Sequence, residues 1–157
     1  MRIFGDEIMM KKYKFGFDIW GLILFFIVMI PNFIWFAVPA PDDVLRAEST
    51  TQTIDMIASI CQVILVAALC LIISKEHRKI KLSPTIKVVI ICVLIYFAGW
   101  ILYYCGNVSA PVILLLTIPP CLSFVFYAAD RKNTIALVPA IVFSCCHLIY
   151  GVVNFIV

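Results

Sequence analysis

Residues Ile19 to Val38 read IWGLILFFIVMIPNFIWFAV, twenty residues without a charge and with one strongly polar side chain, Asn32. At a helical rise of about 1.5 Å per residue, such a run is about 30 Å long, the thickness of bilayer hydrocarbon. Four more apolar runs follow, from Ile54 to Ser74, Val88 to Tyr104, Pro111 to Ala129 and Thr134 to Val157. Backbone groups in hydrocarbon find no water, so a spanning segment must satisfy them internally or close a barrel. Continuous apolar runs, rather than alternating segments of about ten residues, select helices. The fold class expected is all-α: a single membrane domain over residues 1–157, a polytopic bundle of five transmembrane helices preceded by a cytoplasmic segment, residues 1–18.

Composition leads the same way. With 64% hydrophobic residues, 13% charged residues and a mean hydropathy of +1.12, the chain has too little polar surface to coat a soluble globule of 157 residues. A signal sequence carries an apolar region of roughly 7 to 15 residues, and the first run exceeds that, so it is read as a span. The net charge of +3 gives no support to nucleic acid as a partner.

The placement of charge sets a direction. Arg2, Lys11, Lys12 and Lys14 precede the first run; Lys75, Arg78, Lys79, Lys81 and Lys87 separate the second from the third; Arg131 and Lys132 separate the fourth from the fifth. Arg46 alone falls on the other side. The positive-inside rule then puts the N-terminus in the cytoplasm and the C-terminus outside. Trp20 and Tyr127 fall near the inner interface, and Trp100, Tyr103 and Tyr104 near the outer one, where amphipathic rings belong. Unpaired thiols and several spans suit a plasma membrane, and the small size and short loops suit a bacterial one. Membrane lipids are expected partners: Lys75, Arg78, Lys79, Lys81 and Lys87 form a cluster suited to anionic headgroups, worth roughly 1 kcal/mol per side chain. On the outer side, Asp42, Asp43 and Glu48 with Arg46, and Asp55 at the mouth of the second helix, read as a solvated acidic loop, or alternatively as an attractor of a cationic ligand or partner.

Residue types for chemistry are sparse. Neither His77 nor His147 has a His, Asp or Glu three or four positions on, so no metal site, cofactor motif or catalytic residue is assigned. Cys61, Cys70, Cys92, Cys121, Cys145 and Cys146 lie within spans with no C-x-x-C among them, and read as small hydrophobes. Asp18 and Asp55 lie at helix ends within reach of the interface, and no acid occupies mid-span, which disfavours a proton-coupled pump.

Uncharged polar side chains remain. Counted from the outer helix ends, Asn32 lies ~10 Å deep, Gln62 ~12 Å, Thr117 ~9 Å and His147 ~15 Å. Sharing a depth, they form a candidate ligand pocket open to the outside; the competing account is interhelical hydrogen bonding, worth about 0.6 kcal/mol on average. Pro31, Pro119, Pro120 and Pro139 each remove a backbone donor and are expected to break their helices, as in membrane transporters that bind solutes at such breaks. The functional expectation is a small integral membrane protein binding or passing a small, uncharged or weakly charged solute or lipid from the outer side. One alternative is a non-catalytic accessory subunit with a membrane-protein partner. The other is a membrane enzyme acting on lipid or thiols, with His147 as base beside Cys145 or Cys146.

Overall fold

The computed structural model describes residues 12–76 and 82–157. Among them are five helices long and apolar enough to cross a membrane: α1 (Ile19–Ala37), α2 (Gln52–Leu71), α3 (Pro84–Tyr104), α4 (Ala110–Asp130) and α5 (Thr134–Phe155). Two short strands, β1 (Tyr13–Phe15) and β2 (Ile72–Ser74), pair antiparallel with Tyr13 opposite Ser74. Their small sheet marks one end of the bundle, the hairpin end. The segment joining α1 to α2 marks the other, the loop end, with a 3-10 turn at Val44–Arg46.

The helices alternate in direction between these ends. α3 packs closely on α4, α4 on α5, and α5 on α2. α4 is the centre: 61% of its most apolar window is buried, against 22–28% for the others. Close approach is allowed by small residues. A Cβ on Gly99 of α3 would stand 2.9 Å from the Leu115 Cβ of α4, and one on Gly151 of α5 would stand 2.8 Å from the Thr117 Oγ1 of α4. Large apolar side chains such as Phe33, Val63, Leu94, Ile101 and Val138 face outward, a surface suited to lipid tails.

Three boundaries differ from the sequence expectation. The second run stops being helical at Leu71, because Ile72 and Ile73, both β-branched, turn extended to pair with β1. The third begins at Pro84, four residues before Val88: Ser83 caps it, accepting from the Ile86 N–H at 3.1 Å, and proline fits the first helical position. Lys87 therefore sits in the first turn of α3, not in a loop. α1, α4 and α5 also run unbroken through Pro31, Pro119 with Pro120, and Pro139; these prolines remove backbone donors but do not divide the helices.

The hairpin end is closed by a buried ion pair. Asp18 stands at the end of its helix, as the sequence places it, and is 6% exposed; its carboxylate caps α1 through the Trp20 and Gly21 N–H groups, accepts from the Tyr127 hydroxyl at 3.2 Å and meets Arg131 Nε at 2.8 Å. Tyr127 likewise turns inward and is buried. Asn133 caps α5 through the Ala136 N–H, while its amide donates to the Ala68 and Ile72 carbonyls at the end of α2. The Tyr13 hydroxyl hydrogen-bonds Thr134 Oγ1, tying β1 to the start of α5. Arg131→Met removes the buried countercharge of the Asp18 carboxylate, and Asp18→Ala removes the carboxylate that faces Arg131 Nε. Each is expected to cost about 3–5 kcal/mol, read as a lower unfolding midpoint in detergent, with the double variant Asp18→Leu/Arg131→Met recovering most of the loss. Unchanged midpoints in both single variants contradict the clamp.

Candidate functional site

Helical periodicity brings one face of every helix to a common cavity of about 400 Å³. Val28, Asn32 and Trp35 come from α1, Asp55, Ser59 and Gln62 from α2, Tyr96 and Trp100 from α3, Thr117, Pro120 and Phe124 from α4, and Phe143, His147 and Tyr150 from α5. Spacings of three, four and seven residues place these side chains on one face of each helix. The four residues of the sequence pocket, Asn32, Gln62, Thr117 and His147, thus line a single space.

Their hydrogen bonds divide them. The Asn32 amide donates to the Tyr96 hydroxyl at 2.8 Å, joining α1 to α3, and to the Val28 carbonyl at 3.2 Å. Thr117 donates to the Ile113 carbonyl within its own helix at 2.8 Å. These two spend their donors on structure. Gln62 and His147 are half-buried in the cavity wall and make no hydrogen bond to the described residues. The His147 ring stacks between Phe143 and Tyr150, at 5.2 and 6.0 Å with near-parallel planes. Among the described residues Trp100 Nε1 is buried with no acceptor in bonding geometry, although the Tyr96 hydroxyl is a polar neighbour.

Of the prolines, Pro120 lines the cavity, while Pro31, Pro119 and Pro139 are buried in the helix packing. Of the basic cluster, Lys75 and Lys87 are exposed at the hairpin end. Arg78, Lys79 and Lys81, with His77, lie outside the described residues. Cys145 and Cys146 do not line the cavity, so His147 and those thiols do not share a wall there.

Two acids that the sequence placed in the outer loop region belong to the site itself. Asp55 lies among the lining residues, in the same cavity wall as His147 and Tyr150. The spacing Asp55, Ser59, Gln62 places all three on one helix face and was the available signal. The second is Asp43, read as a solvated acid. Its carboxylate accepts from Trp35 Nε1 at 2.9 Å and the Tyr103 hydroxyl at 2.8 Å, and pairs with Arg46 Nε at 2.7 Å. The Arg46 guanidinium covers the Trp35 ring at 4.8 Å and donates to the Trp35 carbonyl at 2.6 Å. The Tyr103 hydroxyl also accepts from the Leu45 N–H, and Tyr104 donates to the Val38 carbonyl. Tyr103 and Trp100, expected at the interface, are buried instead. The α1–α2 segment is thus fastened over the loop end, and its Leu45 forms part of the cavity wall.

Comparison with protein-family models, with curated proteins and with solved structures returns no match for this chain. What the cavity does has to be argued from its own residues.

Burial works against the Asp43 charge, but hydrogen bonds from Trp35, Arg46 and Tyr103 and the Arg46 charge outweigh it, holding the carboxyl below its ordinary 3.8. A lowered folded-state pKa stabilises the fastened loop above the unfolded value and loses that contribution as pH falls through the folded one. The Trp35 indole N–H resonance is therefore expected to hold from neutral pH to about pH 5 and to shift in acid with its midpoint below 3.8. At neutral pH, Asp43→Asn is expected to speed tryptic cleavage after Arg46 by about tenfold, the equivalent of one charge-assisted hydrogen bond.

Proposed function

We propose that this multi-pass membrane protein binds a small solute or lipid in the cavity between its five helices, entered from the loop end. The observation that carries the reading is the pair Gln62 and His147, whose side-chain hydrogen-bonding groups stand in the cavity wall without a partner among the described residues. Polar groups at membrane depth are costly unless paired, so a ligand that pairs them gains the interaction the protein leaves unmade. A volume of about 400 Å³ falls within the range of small-molecule pockets, and aromatic walls with a few polar groups are their usual lining.

Orientation follows from charge. With the basic hairpin end in the cytoplasm of a plasma membrane, the cavity mouth faces outside, and Asn32, Gln62, Thr117 and His147 occupy the outer half of the bilayer. A transport role would require the hairpin end to open, against the buried Asp18 and Arg131 pair. Binding is therefore favoured over passage.

The test is ligand-induced thermal stabilisation of the purified chain across a panel of small polar aromatics and short-chain lipids. A compound that raises the wild-type midpoint should lose about tenfold or more in apparent affinity with Gln62→Leu or His147→Leu, while both variants stay folded without ligand. Undiminished shifts in both variants refute the pocket.

A further inference from the structure

Resting on the pocket reading, we propose that the ligand is a small organic monocation, a protonated amine or quaternary ammonium, whose charge sits beside Asp55 and whose apolar part lies among the aromatic walls. The argument begins with charge balance. Among the described residues, Asp55 is the one carboxylic acid of the lining, and no Lys or Arg lines the cavity. One Asp55 oxygen accepts from the Thr51 hydroxyl at 3.0 Å; the carboxylate has no ion-pair partner among the described residues. The nearby cation at the loop end, Arg46, is already committed to Asp43. The start of α2 favours a carboxylate in its first turn, but an empty or neutral-filled cavity still leaves the Asp55 negative charge without a counter-ion at the edge of an apolar space. An anion would be repelled and a cation neutralises it.

The walls supply the second half of the recognition. Trp35, Tyr96, Trp100, Phe143 and Tyr150 all line the cavity, and aromatic faces attract ammonium groups most when water is excluded. The rim already shows this chemistry, since the Arg46 guanidinium lies over Trp35. Gln62 and His147, lying on the same wall system as Asp55, provide hydrogen bonds for a polar substituent on the ligand. A metal cation fits poorly, because one carboxylate among aromatic rings offers too few oxygen ligands.

Three probes of similar size separate the outcomes: benzyltrimethylammonium, uncharged 2-phenylethanol and anionic 3-phenylpropionate, each titrated against the unfolding midpoint of the full chain. The expected result is a saturable rise with the cation alone. Asp55→Asn should weaken that response about tenfold and Asp55→Glu should largely keep it. If Asp55→Asn does not fold, Asp55→Ser takes its place. A shift with 2-phenylethanol that equals or exceeds the cation's, unchanged in the Asp55 variant but lost in Gln62→Leu, overturns the cation preference and leaves the pocket standing. A wild-type protein that none of the three probes stabilises overturns both.

Discussion

Hydrocarbon tolerates neither an unpaired charge nor an unbonded backbone group, and α1 is where this constraint shapes the molecule most. α1 packs less closely on its neighbours than α2, α3, α4 and α5 pack in their closest pairs. It is held chiefly by its ends. At one end Asp18 caps the helix and pairs with Arg131 in a buried site, where an ion pair holds only if its geometry and remaining hydrogen bonds are complete. At the other, Trp35 and the Val38 carbonyl enter the network of Asp43, Arg46, Tyr103 and Tyr104.

A helix fastened at both ends and loosely packed between them leaves room beside it. The cavity occupies that room, with Asn32 bridging to Tyr96 across it as the polar link between α1 and α3. The firm packing of α4 on α3 and α5, made possible by Gly99 and Gly151, gives the opposite wall a fixed shape. Rigid helices thus carry the side chains that a ligand would meet, which is how precise binding sites are built.

The five spans were legible because hydrocarbon thickness imposes a length that the eye can count, and the charges between them are unambiguous. The shared depth of Asn32, Gln62, Thr117 and His147 was legible for the same reason. What depth could not supply was direction around the helix axis. Tyr103, Trp100 and Tyr127 sit at the levels expected of interfacial aromatics, yet each turns inward, two of them to a carboxylate that the sequence places on a distant segment. The ends of α2 and α3 were misjudged where local chemistry overrode hydropathy: a β-branched pair with a strand partner stopped one helix, and a Ser-Pro start lengthened the other. Asp18 and Arg131 are 113 residues apart, and nothing local to either announces the other.

That separation also orders the assembly of the protein. Ribosomal synthesis makes α1 before Arg131, Tyr127 and the β2 strand have emerged. The Asp18 carboxylate must wait at the water boundary until three further spans, α2, α3 and α4, have been made, and loop closure over such a length is slow relative to the pairing of adjacent helices. α1 is thus made well before the residues that lock it, and the space beside it takes its final form only once α4 and α5, which supply its other walls, have followed.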